Sequence, residues 1–222
     1  MVDPPQSLRE LFLAGGPVMW PLLGASVVAV AVVIERSFVY AAWRLPFEGF
    51  VREICEGLRA GDLERARNSA GGHSSPLARL ARVFLAASDR PSELRRELLQ
   101  REGGVLLEGV ERRLPLLRLV VQIAPILGLL GTVHGLLLAF WDLQASAGPI
   151  RPADVAGGIG SALTTTVFGL MIAIPASGFL LLFEEYADRI ARRMGFLTSH
   201  LEEALLEASA NPAGSSRADA AG

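Results

Sequence analysis

Between Asp154 and Glu184 the chain runs for 29 residues, Val155 to Phe183, without a charged side chain. An α-helix needs about 20 apolar residues to cross a hydrocarbon core of about 30 Å. This run therefore crosses with residues to spare and must tilt or protrude. Its first half, GGIGSALTTT, is built of Gly, Ser, Ala and Thr with few larger side chains, and its second half is rich in Leu, Ile, Met and Phe. Gly158, Ala162 and Thr166 stand four residues apart. That spacing of small residues lets helices approach closely in lipid, and the hydroxyls among them line a polar path. Such a helix packs against other protein.

Two further uncharged runs, Leu11 to Ile34 and Leu119 to Trp141, make three spans, in keeping with a mean hydropathy of +0.39. The first has 24 residues and no basic segment before it. It is expected to stay as an anchor, being too long for a signal-peptide core. All 21 basic residues other than histidine are arginine, and 15 of them lie between Arg36 and Arg118. Arg9 alone precedes the first span, Arg151 alone separates the second from the third, and four follow Phe183. Basic residues near the membrane remain inside, so the N-terminus is expected outside and the C-terminus inside. The reading is an all-α integral membrane protein. Its three transmembrane helices extend into the cytoplasm, with a helical cytoplasmic domain between the first and second spans. In order, the expected segments are a periplasmic N-terminus (1–10), first transmembrane helix (11–41), cytoplasmic helical domain (42–114) and second transmembrane helix (115–142). A periplasmic loop (143–154), third transmembrane helix (155–183), cytoplasmic helix (184–206) and disordered tail (207–222) complete the chain.

Within the cytoplasmic segment, Phe47, Phe50, Val51, Ile54 and Leu58 repeat at helical spacing and Gly61 ends that helix. Asp62 caps a short helix that Gly71 and Gly72 break, Pro76 opens another, and Pro91 and Ser92 open a fourth. The fourth has no strong stop and is expected to run into the second span, with a kink at Pro115. Its neighbourhood holds 15 arginines against 11 acids, a net charge of +4 that suits solvation and an anionic inner leaflet. No aromatic-basic interleaving argues for nucleic acid. The single cysteine, Cys55, permits no disulfide or cysteine metal site within one chain and reads as a buried small apolar residue.

In the second span Gly128, Gly131 and Gly135 share one face of close approach, and Pro125 is tolerable where neighbours satisfy the freed carbonyl. Thr132 either bonds a carbonyl of its own helix or lines a path. His134 is a candidate proton relay or a group reaching the outer headgroups. No Asp, Glu, Lys or Arg lies inside any span, and no phosphate loop, nucleophile elbow or metal-ligand spacing is present. No enzyme, metal or cofactor is therefore expected. If the chain moves protons, a partner brings the carboxylate.

Two segments, APILGLLGTVHGLLLAF and AGGIGSALTTTVFGLMIAIPA, resemble the pore helices of the ExbB/TolQ/MotA proton-channel proteins, and the first span is similar to the opening helix of the ExbB branch. The resemblance covers roughly residues 12–205 and suits a three-span rather than a four-span member. It implies a homopentamer in the bacterial inner membrane whose second and third helices ring a pore. In that pore sit single-span partners of the ExbD/TolR type, whose membrane Asp carries the proton. The work goes to a periplasmic protein such as TonB or TolA, in the TonB system by the ExbB likeness; TolQ-like or gliding-motility subunits, or a non-conducting scaffold, are the alternatives. By the same resemblance Thr132 and Thr166 are pore threonines, with Thr165 just before the second. Ser161 stands where relatives commonly carry Glu in GI-x-E-A-L, either serving with bound water or packing as a small residue. His134 replaces a residue that is often Trp or Thr. The expected ion pathway is Thr132, Ser161, Thr165, Thr166 and His134, and the expected packing residues are Gly128, Gly131, Gly135, Gly158, Ala162 and Gly169.

Overall fold

The computed structural model of the chain describes residues 9, 12–13, 15–43, 45–145 and 152–210, with the side chains of 152–156 and 161 left aside. Most of the expected N-terminal segment, residues 146–151 of the loop after the second span, the tail beyond 210 and the Ser161 side chain lie outside the described residues. The described residues form helices and connecting turns, with no strand among them. Among the described residues these helices succeed one another in chain order: α1 (Met19–Ala42), α2 (Phe47–Arg59), α3 (Leu63–Gly71), α4 (Pro76–Ala86), α5 (Ser92–Glu111), α6 (Leu114–Ala145) and α7 (Pro152–Ala210). Three helical stretches, in α1, α6 and α7, are long and apolar enough to cross a membrane. The chain divides into one unit of Met1–Arg36 with Arg113–Phe183 and a second of Ser37–Arg112 with Glu184–Gly222.

In the first unit the helix boundaries follow backbone chemistry. Regular helix α1 starts at Met19, later than the apolar run from Leu11 suggested. Gly16 takes a left-handed φ of 71° that other residues avoid, and Pro17 has no N–H to give the Leu13 carbonyl. The 24 residues from Met19 still reach about 36 Å at ~1.5 Å each. A second departure is at the expected junction of the fourth cytoplasmic helix with the second span. The two are not continuous: α5 ends at Glu111, Arg113 takes φ 77°, and α6 begins afresh at Leu114. Pro115 explains the break, because a continuous helix would need its absent N–H to bond the Glu111 carbonyl, and its ring would strike that carbonyl. Placed instead in the first turn of α6, the proline costs nothing, and Leu116 N–H bonds the Arg113 carbonyl at 3.1 Å. Glu35 pairs with both Arg36 and Arg113, at 2.9 and 3.0 Å.

Along the facing parts of α6 and α7 many large side chains of this unit point outward, although Leu117 and Leu180 are buried. Ile126, Leu129, Leu130 and Val133 on α6, and Leu163, Val167, Met171 and Ile174 on α7, are all exposed, while Ala124, Gly128, Gly131, Ala162, Thr165 and Gly169 are buried. That inversion of the water-soluble pattern is the signature of helices whose outer surface meets lipid or further protein.

The second unit follows the opposite rule. Phe50, Ile54 and Leu58 of α2, Leu77, Leu80 and Phe84 of α4, and Leu197 and Leu201 of α7 are nearly or fully buried. Caps set the helix ends as the sequence indicates. Asp62 accepts from Arg65 N–H at 2.9 Å, Ser75 from Ala78 N–H at 3.3 Å, and Gly61 turns the chain with φ 74°. Gly57 lets α3 approach, since a Cβ there would lie 3.1 Å from the Ala66 nitrogen. Tyr40 donates to the Val110 carbonyl at 2.8 Å and stacks on Tyr186 with ring centroids 4.4 Å apart. Cys55 is buried, its Sγ 3.7 Å from the His200 carbonyl; burial pushes the thiol above its ordinary value, with Arg59 pulling it down.

Arg95 is the polar anchor of this core, 4% exposed. Its Nε donates to Glu202 Oε2 at 2.9 Å and its Nη2 to Glu202 Oε1, while Nη1 reaches the Ser88 and Arg90 carbonyls at 3.2 and 3.1 Å. The guanidinium also lies 5.3 Å from the Phe84 ring centroid. A buried guanidinium is tolerable only with its donors satisfied, as they are here. Glu202→Ala, which leaves that charge buried without its carboxylate, is expected to destabilise the protein by about 3 kcal/mol or more. Arg59→Ala, which breaks the half-exposed Arg59–Glu207 pair, is expected to cost under about 1 kcal/mol. Chemical unfolding in detergent, followed by circular dichroism, checks the contrast.

Candidate functional site: the seam between α6 and α7

Where two helices pack in lipid, no hydrophobic gain drives them together, and close van der Waals contact with interhelical hydrogen bonds must do so. The α6 and α7 seam meets that requirement with side chains no larger than threonine. A Cβ built on Gly128 would lie 3.0 Å from both the Thr165 carbonyl oxygen and Thr166 Cα. On Gly169 it would lie 2.6 Å from the Ala124 carbonyl oxygen, and on Gly135 it would lie 3.0 Å from Ala162 Cβ. On Gly131 it would strike the Thr165 side chain, and on Gly158 the Ala139 methyl. The pairs run in opposite senses along the two helices, 124 with 169, 128 with 165 and 166, 135 with 162, and 139 with 158. The helices are antiparallel with backbones nearly touching.

The small packing residues read from the sequence are thus brought together on one seam, with Ala124 and Ala139 as additions. Both were legible as extensions of the α6 row, lying four residues before Gly128 and four after Gly135. The three threonine candidates separate. Thr132 is half-buried and donates to its own Leu129 carbonyl at 2.7 Å. Thr165 is fully buried, its hydroxyl 2.8 Å from the Ala162 carbonyl and 3.0 Å from the Gly128 carbonyl across the seam. Thr166, one residue on, has its Oγ1 sealed from solvent and without a hydrogen-bond partner among the described residues. An unmet buried hydroxyl costs about 1–3 kcal/mol, so Thr166 is a group awaiting an acceptor or donor. Thr164 bonds the Gly160 carbonyl at 3.0 Å. His134 is half-buried on α6. Two residues separate it from Thr132, which puts it about 200° round the helix and off that residue's face. Among the described residues no cluster of His, Cys, Asp or Glu is arranged to hold a metal ion. The geometry offers a close-packed helix pair edged by hydroxyls, with no titratable acid of its own in the apolar stretch.

The MotA/TolQ/ExbB proton channel family model matches residues 73–195. The chain is 33% identical over 204 residues to the putative biopolymer transport protein ExbB-like 1 of Synechocystis, covering 90% of this chain and 78% of that one. It is 30% identical to biopolymer transport protein exbB1 of Vibrio cholerae, over 85% of this chain and 84% of that one. With the Tol-Pal system protein TolQ of Pseudomonas aeruginosa it shares 30% identity, over 72% and 73% of the two chains.

The seam predicts an asymmetry among glycine substitutions. Gly169→Ala sets a methyl against the Ala124 backbone and forces α6 and α7 apart, and is expected to cost about 1–3 kcal/mol. Gly160→Ala, which meets open space on the same helix, is expected to be neutral or to stabilise by about 1 kcal/mol. Thermal unfolding of the two variants in detergent separates them.

Proposed function

The chain belongs to the MotA/TolQ/ExbB proton channel family, and from that premise we propose that it is the ring-forming channel subunit of an inner-membrane motor driven by the proton-motive force. Five copies close a ring in which α6 and α7 face a central pore. The pore holds single-span partners of the ExbD/TolR type, and an Asp on their membrane helix picks up a proton from the periplasmic side and releases it to the cytoplasm. The ring supplies hydroxyls along the way from Thr132, Thr166 and Ser161. Its N-terminus is periplasmic and its C-terminus cytoplasmic, as the arginine distribution favours.

The observation that carries the proposal is the Thr166 hydroxyl, buried at the seam without a partner among the described residues, in a helix pair whose apolar runs hold no carboxylate. A turn about χ1 of the half-buried Thr166 side chain would bring this hydroxyl out to a carboxylate carried by another helix. The work drawn from the proton passes to a TonB-like periplasmic protein for outer-membrane transport, in line with similarity to proteins named ExbB. A TolA-like client is the second reading, favoured by the similarity to TolQ. Ser161 in place of the family's usual Glu favours a third, a ring that holds its partners without conducting.

Proton uptake into liposomes carrying the chain with its single-span partner decides among these. Partner-dependent uptake is expected, and Thr166→Ala and the partner's Asp→Asn are each expected to bring it to the level of empty vesicles. An intact complex that passes no protons would exclude the proton reading, and sodium uptake by the same vesicles would then separate another ion from a scaffold.

A further inference from the structure

Thr165 and Thr166 are adjacent and identical in type, yet the structure gives them different surroundings. Every side of Thr165 is taken. Its hydroxyl serves the Gly128 and Ala162 carbonyls, its Cβ lies under Gly131, and its methyl faces Gly15, where an added Cβ would stand 3.2 Å away. A hydroxyl has one proton to donate, and this one is committed between two carbonyls with no exposed surface. An ion cannot use it without breaking the contact across the seam.

A seam of glycine and alanine brings backbones close but is smooth, with no large side chain to key one helix's rotation to the other. Thr165 supplies that key. It projects from α7 into the gap left by Gly131 and ties itself to the α6 backbone at Gly128, one turn away. Thr166 follows at ~100° round the helix, with its Cα against Gly128 and its hydroxyl free of protein partners among the described residues. We propose that Thr165 is a positioning residue of the conduction path, locking the rotation of α7 on α6 so that the half-buried Thr166 side chain faces the partner helix and offers it a hydroxyl by a turn about χ1. This rests on the conduction reading above, and assigns Thr165 to holding the path rather than lining it.

The test uses the full complex in liposomes, in a Cys55→Ala background that removes the one native thiol. Thr165→Val keeps the shape and loses the donor; Thr165→Ser keeps the donor. The rotational readout is the rate at which a small thiol reagent labels Thr166→Cys relative to Val167→Cys, each combined with the Thr165 variants. With Thr165→Val the ratio is expected to move roughly fivefold, the effect of losing about one buried hydrogen bond. Proton uptake per complex, measured with Thr166 intact, falls with it, and Thr165→Ser restores both. An unchanged labelling ratio in Thr165→Val overturns the proposal, whatever happens to thermal stability. Should Thr165→Val fail to assemble, Thr165→Ala is read in its place. Failure of both beside a well-assembled Thr165→Ser would make the hydroxyl a folding requirement and overturn the positioning role. If the unmodified complex carries no protons, the conduction reading fails by itself, and the labelling ratio still reports the rotation.

Discussion

The contact of two helix backbones across glycine is the constraint on which the membrane unit depends. In lipid, large apolar side chains gain nothing by leaving hydrocarbon for a helix interface, so attraction must come from close packing and from hydrogen bonds. Gly128, Gly131, Gly135, Gly158 and Gly169 give that closeness, each at a place where an added methyl would press on the opposite helix. Leu129, Val133, Leu163 and Met171 are left on the outside, where lipid or further protein receives them. A single seam thus accounts for the inside-out burial of the unit and for the placement of its hydroxyls.

Helix α7 carries two chemistries. Its buried positions recur at steps of three or four residues within each unit, through Ala162, Thr165, Gly169, Ala173 and Ala176 in the membrane unit and through Ile190, Met194, Leu197 and Leu201 in the other. The same period serves close backbone contact where the residues are small and an ordinary hydrophobic core where they are large. In the second unit the polar element is a charge, Arg95, whose donors are met by Glu202 and backbone carbonyls. In the membrane unit Arg36 is buried as well, and Thr165 is a buried polar group of another kind, a neutral hydroxyl between two carbonyls. An ion needs several partners when buried, while a hydroxyl needs one or two.

The apolar runs hold hydroxyls in a close-packed seam and no acid of their own. In the reading proposed above, the work is divided between a ring that shapes the path and a second protein that bears the charge.

Much of this was legible in the residues. The uncharged runs marked three spans, the glycine rows marked the seam, and Asp62, Pro76 and Gly61 marked helix ends, because length, size and capping are local properties. Two boundaries were misread from apolarity alone. Gly16 with Pro17, and Pro115 against the Glu111 carbonyl, stopped helices that hydropathy would have continued, since backbone hydrogen bonding and not side-chain polarity ends a helix. The sequence by itself determined the class, the spans and the set of small and hydroxyl-bearing residues from which a path is built. Only the tertiary structure decided which of two neighbouring threonines is locked and which is left unmet, and that Arg95 finds Glu202 more than a hundred positions away. Those depend on the rotation of one helix against another, which the order of residues along either helix does not contain.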